Sequence, residues 1–266
     1  MMSSALAPDE RCRWPELPPR TDRALRAAVH FVLERFDVEG VIAAGTHISG
    51  TPDARSDLDI YVIHAQPHRQ RIQKWFEGIP AEIFVNPPSS IRSYFVEEVD
   101  RPSTAHMLAG GFVVLERSPV VDDLRREAHA WLQRPLDKSE LQLTAARYFA
   151  ADEFDNARDV RERNPATAAR ILNGVVDSML DYAFLVRGCR LPRTKAYLDD
   201  LNKMEPHLGE LARRYYLAQD LDDRFTVAEQ IARRTIEESG FFEWESPLET
   251  VTPPETVAST NANTDP

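Results

Sequence analysis

The chain has 266 residues, of which 42% are hydrophobic and 28% are charged, and its formal net charge is −11. This composition is typical of a globular protein with one large domain or two smaller ones, each with its own core. Because an acidic protein is repelled by phosphodiester backbones, we expect no nucleic-acid partner.

Two further classes of protein do not fit this sequence. No apolar stretch approaches the roughly 18 residues of a transmembrane helix, so no membrane partner is expected. The first 20 residues lack the basic and apolar regions of a secretory signal. Cys12 and Cys189 are far apart, which argues against a disulfide scaffold and a thiolate zinc site. We therefore expect a cytoplasmic protein.

Strands and helices are predicted to alternate in the first half of the chain. Residues 1–20 are rich in proline and arginine and are predicted to form an irregular lead-in, after which Thr21 is predicted to cap a helix from Asp22 to about Phe36. The next elements are predicted as strands at 40–44, 57–63, 81–85 and 112–115 and as helices from Pro67 to near Gly78, at 90–99 and at 120–132. This alternation predicts an α/β domain with a small mixed sheet over residues 21–134.

Helical periodicity dominates the second half. An apolar stripe at helical spacing runs from Ile171 to Phe184, in a helix that begins at Asn164-Pro165 and ends at Gly188. Other helices are predicted at 137–162, 195–203, 206–219 and 222–238. Residues 135–242 are therefore predicted to form a helical bundle, which makes the fold class α+β, and the polar tail 243–266 is predicted to be disordered.

Residues 45–63 carry the strongest functional signal. Gly45-Thr46 follows an apolar run, a polar loop occupies 47–56, and Asp57-Leu58-Asp59 opens the next apolar run. Two aspartates at i and i+2 on a strand point to the same face. Neighbouring carboxylates repel each other unless a cation lies between them, and Mg²⁺ prefers oxygen ligands that it shares with substrate phosphates. This pattern predicts metal-assisted phosphoryl chemistry.

The same string resembles the signature of the DNA polymerase beta-type nucleotidyltransferase superfamily. That signature has a hydrophobic residue, Gly, Ser or Gly, a loop, and then acid-hydrophobic-acid-hydrophobic. Gly50 and Ser56 also match the aminoglycoside-nucleotidyltransferase-like branch, as does the layout of a catalytic half followed by a helical half. Thr46 stands where serine is usual, but it keeps the hydroxyl, and residues 47–49 lack the basic residues of many relatives.

The resemblance implies a third carboxylate on a neighbouring strand, and Glu82 is the only acid in the next predicted strand. Asp57, Asp59 and Glu82 would then be the catalytic residues and would bind two Mg²⁺ ions. Gly45 would let the backbone approach the phosphates of ATP, and Thr46 and Ser56 would lie beside them. The alternative for Glu82 is a solvent-facing residue at a strand start.

Two basic residues are candidates for nucleotide binding. Arg55 is predicted to pair with a phosphate or, alternatively, to be a surface arginine that bridges Asp53 or Asp57. Lys195 begins a predicted helix in the second half, where resembling families place a lysine that contacts the triphosphate; the alternative is an ordinary surface lysine.

The remaining candidates have alternative interpretations. His47 follows the glycine turn directly and could contact a phosphate, but we expect it to be exposed. Acids between residues 152 and 159 would receive a cationic acceptor, supply a general base or simply form a solvated helix face.

These features predict a magnesium-dependent enzyme that transfers AMP from ATP to the hydroxyl of a small-molecule acceptor and releases pyrophosphate. The resemblance favours an aminoglycoside-like acceptor, and a homodimer is compatible with that branch. The alternative is a non-catalytic nucleotide- or partner-binding module of the antitoxin kind on the same fold.

Overall fold

The computed structural model describes residues 11–248, and its first half is built around one sheet. The strands are β1 (Val38–Ala44), β2 (Leu58–His64), β3 (Gln70–Phe76), β4 (Ile79–Asn86) and β5 (Phe112–Glu116). The helices of this half are α1 (Pro19–Leu33), the short α2 (Thr46–Ser49), α3 (Pro88–Glu97), α4 (Ser103–Gly110) and α5 (Val120–Gln133). The predicted α+β class with a small mixed sheet is confirmed.

The sheet has the order β3-β4-β2-β1-β5, and only β2 and β4 run parallel among these strands. In the parallel pair Asp59 lies opposite Glu82, and in the antiparallel pair of β1 and β2 Ala44 lies opposite Asp59. The end of β1 and the starts of β2 and β4 therefore meet at one edge of the sheet.

Helices cover both faces of the sheet. On one face, α1 packs against β1, β3 and β4, and its buried Leu25 and Val29 belong to the same apolar cluster as Ile60 and Val62 of β2. On the other face, α3, α4 and α5 pack against a cluster that includes Tyr61. Burial of each such side chain contributes about 1.5–3 kcal/mol to stability. Because side chains alternate along a strand, Asp59 lies on the face of Tyr61, under α3 and α4.

The second half consists of helices, as predicted. They are α6 (Glu140–Val160), α7 (Pro165–Leu185), a 3₁₀ turn (Thr194–Ala196), α8 (Tyr197–Met204), α9 (Pro206–Leu217) and α10 (Leu221–Thr235). The predicted apolar stripe of α7 is buried against α6 and α10, for instance at Leu172 and Met179. Asn164 caps α7 by accepting a hydrogen bond from the amide of Thr167 at 3.1 Å. Within residues 11–248, no helix is long and apolar enough to cross a membrane.

The helix predicted from Pro67 to Gly78 is wrong, because this segment forms β3 and a hairpin with β4. Ile72 and Phe76 are four residues apart, a spacing that fits a helix and a strand equally well. Glu77 and Gly78 form the two-residue turn with φ of 50° and 72°, the left-handed geometry that matches the twist of paired strands. Apart from Phe76, β3 is largely exposed, as is common for an edge strand rich in charge.

Several boundaries also differ from the prediction. α1 begins at Pro19, so Thr21 lies buried inside its first turn and does not cap it, and the proline with its fixed φ begins the helix instead. The helix α4 was not predicted, and the loop 47–56 begins with a helical turn. The predicted disordered tail lies mostly outside the described residues, which end at 248. The domain boundaries stay predictions.

The hairpin turn gives a direct stability prediction. Replacing Glu77→Asn is expected to raise the free energy of unfolding by about 0.5–1 kcal/mol, because asparagine tolerates the left-handed conformation better than glutamate. Gly78→Ala is the opposing control and is expected to lower it. Urea unfolding followed by circular dichroism measures both, and a Glu77→Asn variant less stable than the wild type would contradict this account of the turn.

Candidate metal and nucleotide site

Three carboxylates meet at the edge where β2 and β4 begin. Asp57, Asp59 and Glu82 each offer an oxygen, and these oxygens all lie within 4.8 Å of one another. Asp57 is exposed just before β2, whereas Asp59 and Glu82 are half-buried side by side. A compact set of carboxylate oxygens is the donor type that Mg²⁺ prefers. These three residues therefore fit a hard divalent cation.

Glu82 is held in place by the neighbouring edge strand. Its Oε1 accepts hydrogen bonds from Nε of Arg71 at 2.7 Å and from the side-chain amide nitrogen of Gln73 at 2.9 Å. Nη2 of Arg71 lies 2.6 Å from the same oxygen. In the described part of the chain no hydrogen bond reaches Oε2. The side chain is 15% exposed, so Glu82 is not the solvent-facing residue of the alternative interpretation. One oxygen is anchored, and the other accepts no hydrogen bond from the described residues.

The electrostatics of Asp59 also fit a cation. Burial, and then the carboxylates of Asp57 and Glu82, raise the pKa of Asp59 to about 6, while Arg71 opposes this shift. A carboxylate that is costly to ionise on its own becomes stable when a divalent cation is bound beside it.

Gly45 forms a turn directly against this site. Its φ is 79°, a left-handed conformation, and a Cβ at this position would collide with the carboxylate of Asp59. The close approach and the dihedral angle each require glycine. The carbonyl of Gly45 then accepts from the amide of Ser49 at 3.0 Å, which begins α2. The glycine turn therefore lies beside the acids.

The two hydroxyls predicted to lie beside the phosphates contact each other. Thr46 Oγ1 donates to Ser56 Oγ at 2.9 Å, and Ser56 Oγ accepts from the amide of Asp53 at 2.9 Å. Ser56 is buried, and His47, expected to be exposed, is half-buried with Nε2 3.1 Å from the carbonyl of Ser56. Ser56 therefore holds the loop 47–56 against the turn, and a phosphate contact by Thr46 or Ser56 stays a prediction.

Lys195 comes from the helical half to the mouth of the site. Its Nζ lies 2.8 Å from Oδ2 of Asp53, and both side chains are exposed. Asp53 raises the pKa of Lys195, and Asp57 adds a smaller contribution in the same direction. Asp53 also accepts from the backbone amide of Arg55 at 2.9 Å, while the Arg55 side chain is exposed. Nucleotide binding by Lys195 and Arg55 stays a prediction.

A second set of contacts fixes the segment that carries Lys195. Lys138 pairs with Asp100 at 2.7 Å, and the amide of Leu191 donates to the carbonyl of Asp100 at 2.7 Å. Arg190 donates to the carbonyls of Val99 at 3.1 Å and Arg134 at 2.6 Å. These bonds attach the connection between α7 and α8 to the α3–α4 connection.

A cavity of about 800 Å³ extends from the acids over the sheet. Asp59 and Glu82 lie at its margin, Tyr61 and Phe84 line the sheet side, and α3 and α4 form the opposite wall. Arg69, Arg71 and Tyr94 also line it, and Arg193 reaches it from the helical half. Sequence reasoning missed all four of these residues. The signal that could have found Arg69 and Arg71 is the Glu77-Gly78 turn, which identifies β3 as the neighbour of Glu82.

The candidate acids of α6 do not line this cavity. They are Asp152, Glu153, Asp155 and Asp159. Of these, Glu153 lines a separate groove between α6 and α7. The interpretation of these residues as a solvated helix face is therefore favoured over a role in receiving the acceptor.

Comparison with known proteins does not assign this chain to a family. No protein-family model matches the sequence, and no curated protein matches it. Among solved structures, the chain is similar to a nucleotidyltransferase-like protein from Exiguobacterium sibiricum 255-15, with 16% sequence identity and a TM-score of 0.49. The match covers 80% of this chain and 73% of that chain. A likeness this low does not assign a family.

The raised pKa of Asp59 predicts a pH-dependent stability in metal-free solution. The folded protein keeps the Asp59 proton at pH values where the unfolded chain has lost it. The free energy of unfolding should therefore fall as the pH rises from about 4 to about 6, by up to about 3 kcal/mol from this residue. The Asp59→Asn variant, which cannot titrate there, should lack this contribution.

Urea unfolding of wild type and Asp59→Asn at several pH values, in the presence of a chelator, measures this contribution as the difference between the two proteins. Saturating Mg²⁺ should reduce the fall, because the cation favours the ionised carboxylate. If the difference in the free energy of unfolding between the two proteins stays constant from pH 4 to pH 7 without metal, Asp59 has an ordinary pKa.

Proposed function

We propose that this protein is a metal-dependent nucleotidyltransferase that transfers AMP from ATP to a hydroxyl group of a small molecule and releases pyrophosphate. The observation that carries the proposal is the meeting of Asp57, Asp59 and Glu82 beside a turn that only glycine can form. The motif around Gly45 and Asp59, which resembles the DNA polymerase beta-type superfamily, supports the same reaction. The aminoglycoside-nucleotidyltransferase-like branch is the part of that superfamily with the most similar layout.

The three acids would hold magnesium, with two ions as the number that the resemblance implies. Such ions supply a Lewis acid that polarises the phosphates and favours ionisation of an attacking hydroxyl. Arg71 and Gln73 orient Glu82 through one carboxylate oxygen, so the other is available to the cation. Gly45 gives the phosphates access to the site edge because it has no side chain.

The remaining groups would bind and orient the nucleotide. Lys195 is a mobile ammonium at the site mouth, and it would exchange its exposed pairing with Asp53 for a phosphate oxygen. An exposed ion pair of this kind contributes little to stability, so its exchange costs little. Arg55, which is exposed in the same loop, is a second candidate for a phosphate contact.

The reaction forms one bond and breaks one. The acceptor hydroxyl oxygen attacks the α-phosphorus of ATP, the bond from that phosphorus to the bridging oxygen of the β-phosphate breaks, and pyrophosphate leaves. The hydroxyl proton is released to solvent. The cavity beside Asp59 and Glu82, at about 800 Å³, has the size of a typical small-molecule site. An aminoglycoside-like acceptor rests on the resemblance alone.

The proposal predicts labelled AMP transfer that depends on the acids. With ATP labelled on the α-phosphate, Mg²⁺ and a mixture of small hydroxyl compounds, the wild type should form a labelled adduct and release pyrophosphate. Asp57→Asn, Asp59→Asn and Glu82→Gln should each lower the rate at least about 100-fold, because each removes a charge that would bind the metal without changing side-chain size.

Glu97→Gln is the matched control, since Glu97 is an exposed acid on α3 outside the cavity, and its rate should equal that of the wild type. Wild-type transfer that persists in Asp59→Asn would contradict the site assignment. Nucleotide binding by calorimetry without transfer to any compound would instead favour the non-catalytic module.

A further inference from the structure

The cavity beside the acids is lined by three acidic residues and three arginines. Its acidic lining residues are Asp59, Glu82 and Glu98, and its arginines are Arg69, Arg71 and Arg193. The charge of the ligand that this cavity binds depends on which of these groups are not already paired within the protein.

The acids of the cavity are already engaged. Asp59 and Glu82 belong to the metal site, and Arg71 is paired with Glu82. Glu98 accepts from both the amide and the hydroxyl of Thr104, at 2.7 and 3.0 Å, so both of its oxygens are used inside the protein. Each lining carboxylate therefore already has a partner in the protein or a place in the candidate metal site.

Two of the arginines are available. Arg69 and Arg193 are exposed, and neither forms an ion pair with any residue between 11 and 248. Arg69 uses one of its five N–H groups to donate to the hydroxyl of Tyr94 at 2.8 Å. The remaining N–H groups of a guanidinium match a carboxylate or phosphate in pairs.

The position of Arg69 follows from the pairing of β3 with β4. The backbone of Arg69 lies one residue before Gln70, which pairs with Val85 of β4, so Arg69 is close to Asn86. Asn86 is four residues along the strand from Glu82, which corresponds to about 13 Å. The backbone of Arg69 thus lies well away from that of Glu82.

We propose that this cavity binds an acceptor that carries a carboxylate or phosphate some distance from its reacting hydroxyl, and that Arg69 and Arg193 bind this anion. This proposal rests on the proposed function, because the ligand is an acceptor only if the protein transfers a nucleotide. It makes a polycationic aminoglycoside a poor ligand, since its ammonium groups would meet two arginines that form no ion pair among the described residues.

A pair of probes that differ chiefly in charge tests the proposal. The full chain is saturated with Mg²⁺ and a non-hydrolysable ATP analogue, and 3-(4-hydroxyphenyl)propanoate or tyramine is titrated by calorimetry. Both probes carry a phenol on a short chain, with a carboxylate in one and an ammonium in the other. The propanoate is expected to bind at least about tenfold more tightly, because it forms charge-assisted hydrogen bonds with the arginines.

Single variants identify the residues responsible. Arg69→Gln and Arg193→Gln should each weaken propanoate binding about tenfold, and neither should weaken tyramine binding, because each removes a positive charge. Arg92→Gln is the matched control, because Arg92 is exposed on α3, lies outside the cavity and pairs with Glu127. It should bind both probes as the wild type does.

Three results would overturn the proposal: binding of neither probe, tyramine binding as tight as that of the propanoate, or arginine variants that weaken the ATP analogue instead. The last result would mean that these arginines bind the triphosphate. Failure of the proposed function is read separately, as absence of magnesium-dependent binding of the ATP analogue. In that case, binding of the propanoate and of tyramine is measured without nucleotide, and the same differences between the two probes support or overturn the charge preference.

Discussion

The parallel pairing of β2 with β4 determines where the acids of the candidate site lie. This register sets Asp59 beside Glu82, and the antiparallel neighbour β1 brings Gly45 against the Asp59 carboxylate. A shift of one residue would turn Glu82 to the face covered by α1, because side chains alternate along a strand. The apolar residues of β2 are buried on both faces, so such a shift would also expose part of the core. The packing that stabilises the sheet therefore also assembles the acids.

The acids are held together at a cost in stability, which the edge strand partly offsets. Arg71 and Gln73 anchor one oxygen of Glu82, whereas burial and the carboxylates of Asp57 and Glu82 keep the pKa of Asp59 raised. Structures retain such strained electrostatics where a ligand completes them. Among the three acids, Glu82 is thus paired with an arginine, while no ion pair with Asp57 or Asp59 is found in the described residues.

The sequence predicted the parts of the site that depend on local pattern. The apolar runs of β1 and β2 and the spacing from Gly45 to Asp59 predicted that the glycine turn and the aspartates meet, whereas the third carboxylate, Glu82, was implied by the family resemblance. The groups contributed by β3 were missed, because Ile72 and Phe76 fit helical and extended spacing equally. The cavity wall could not be predicted either, since α4 and the segment carrying Arg193 reach the sheet only through long-range contacts such as that of Arg190 with Val99.

The central claim is that Asp57, Asp59 and Glu82 form a divalent-cation site that acts on a nucleotide. The most direct measurement is a crystal structure with Mn²⁺ and a non-hydrolysable ATP analogue, in which anomalous scattering locates the metal. The account predicts at least one manganese peak bound by oxygens of all or most of the three acids and by a phosphate of the analogue. A metal bound elsewhere, or a nucleotide bound without metal away from Gly45, would contradict it.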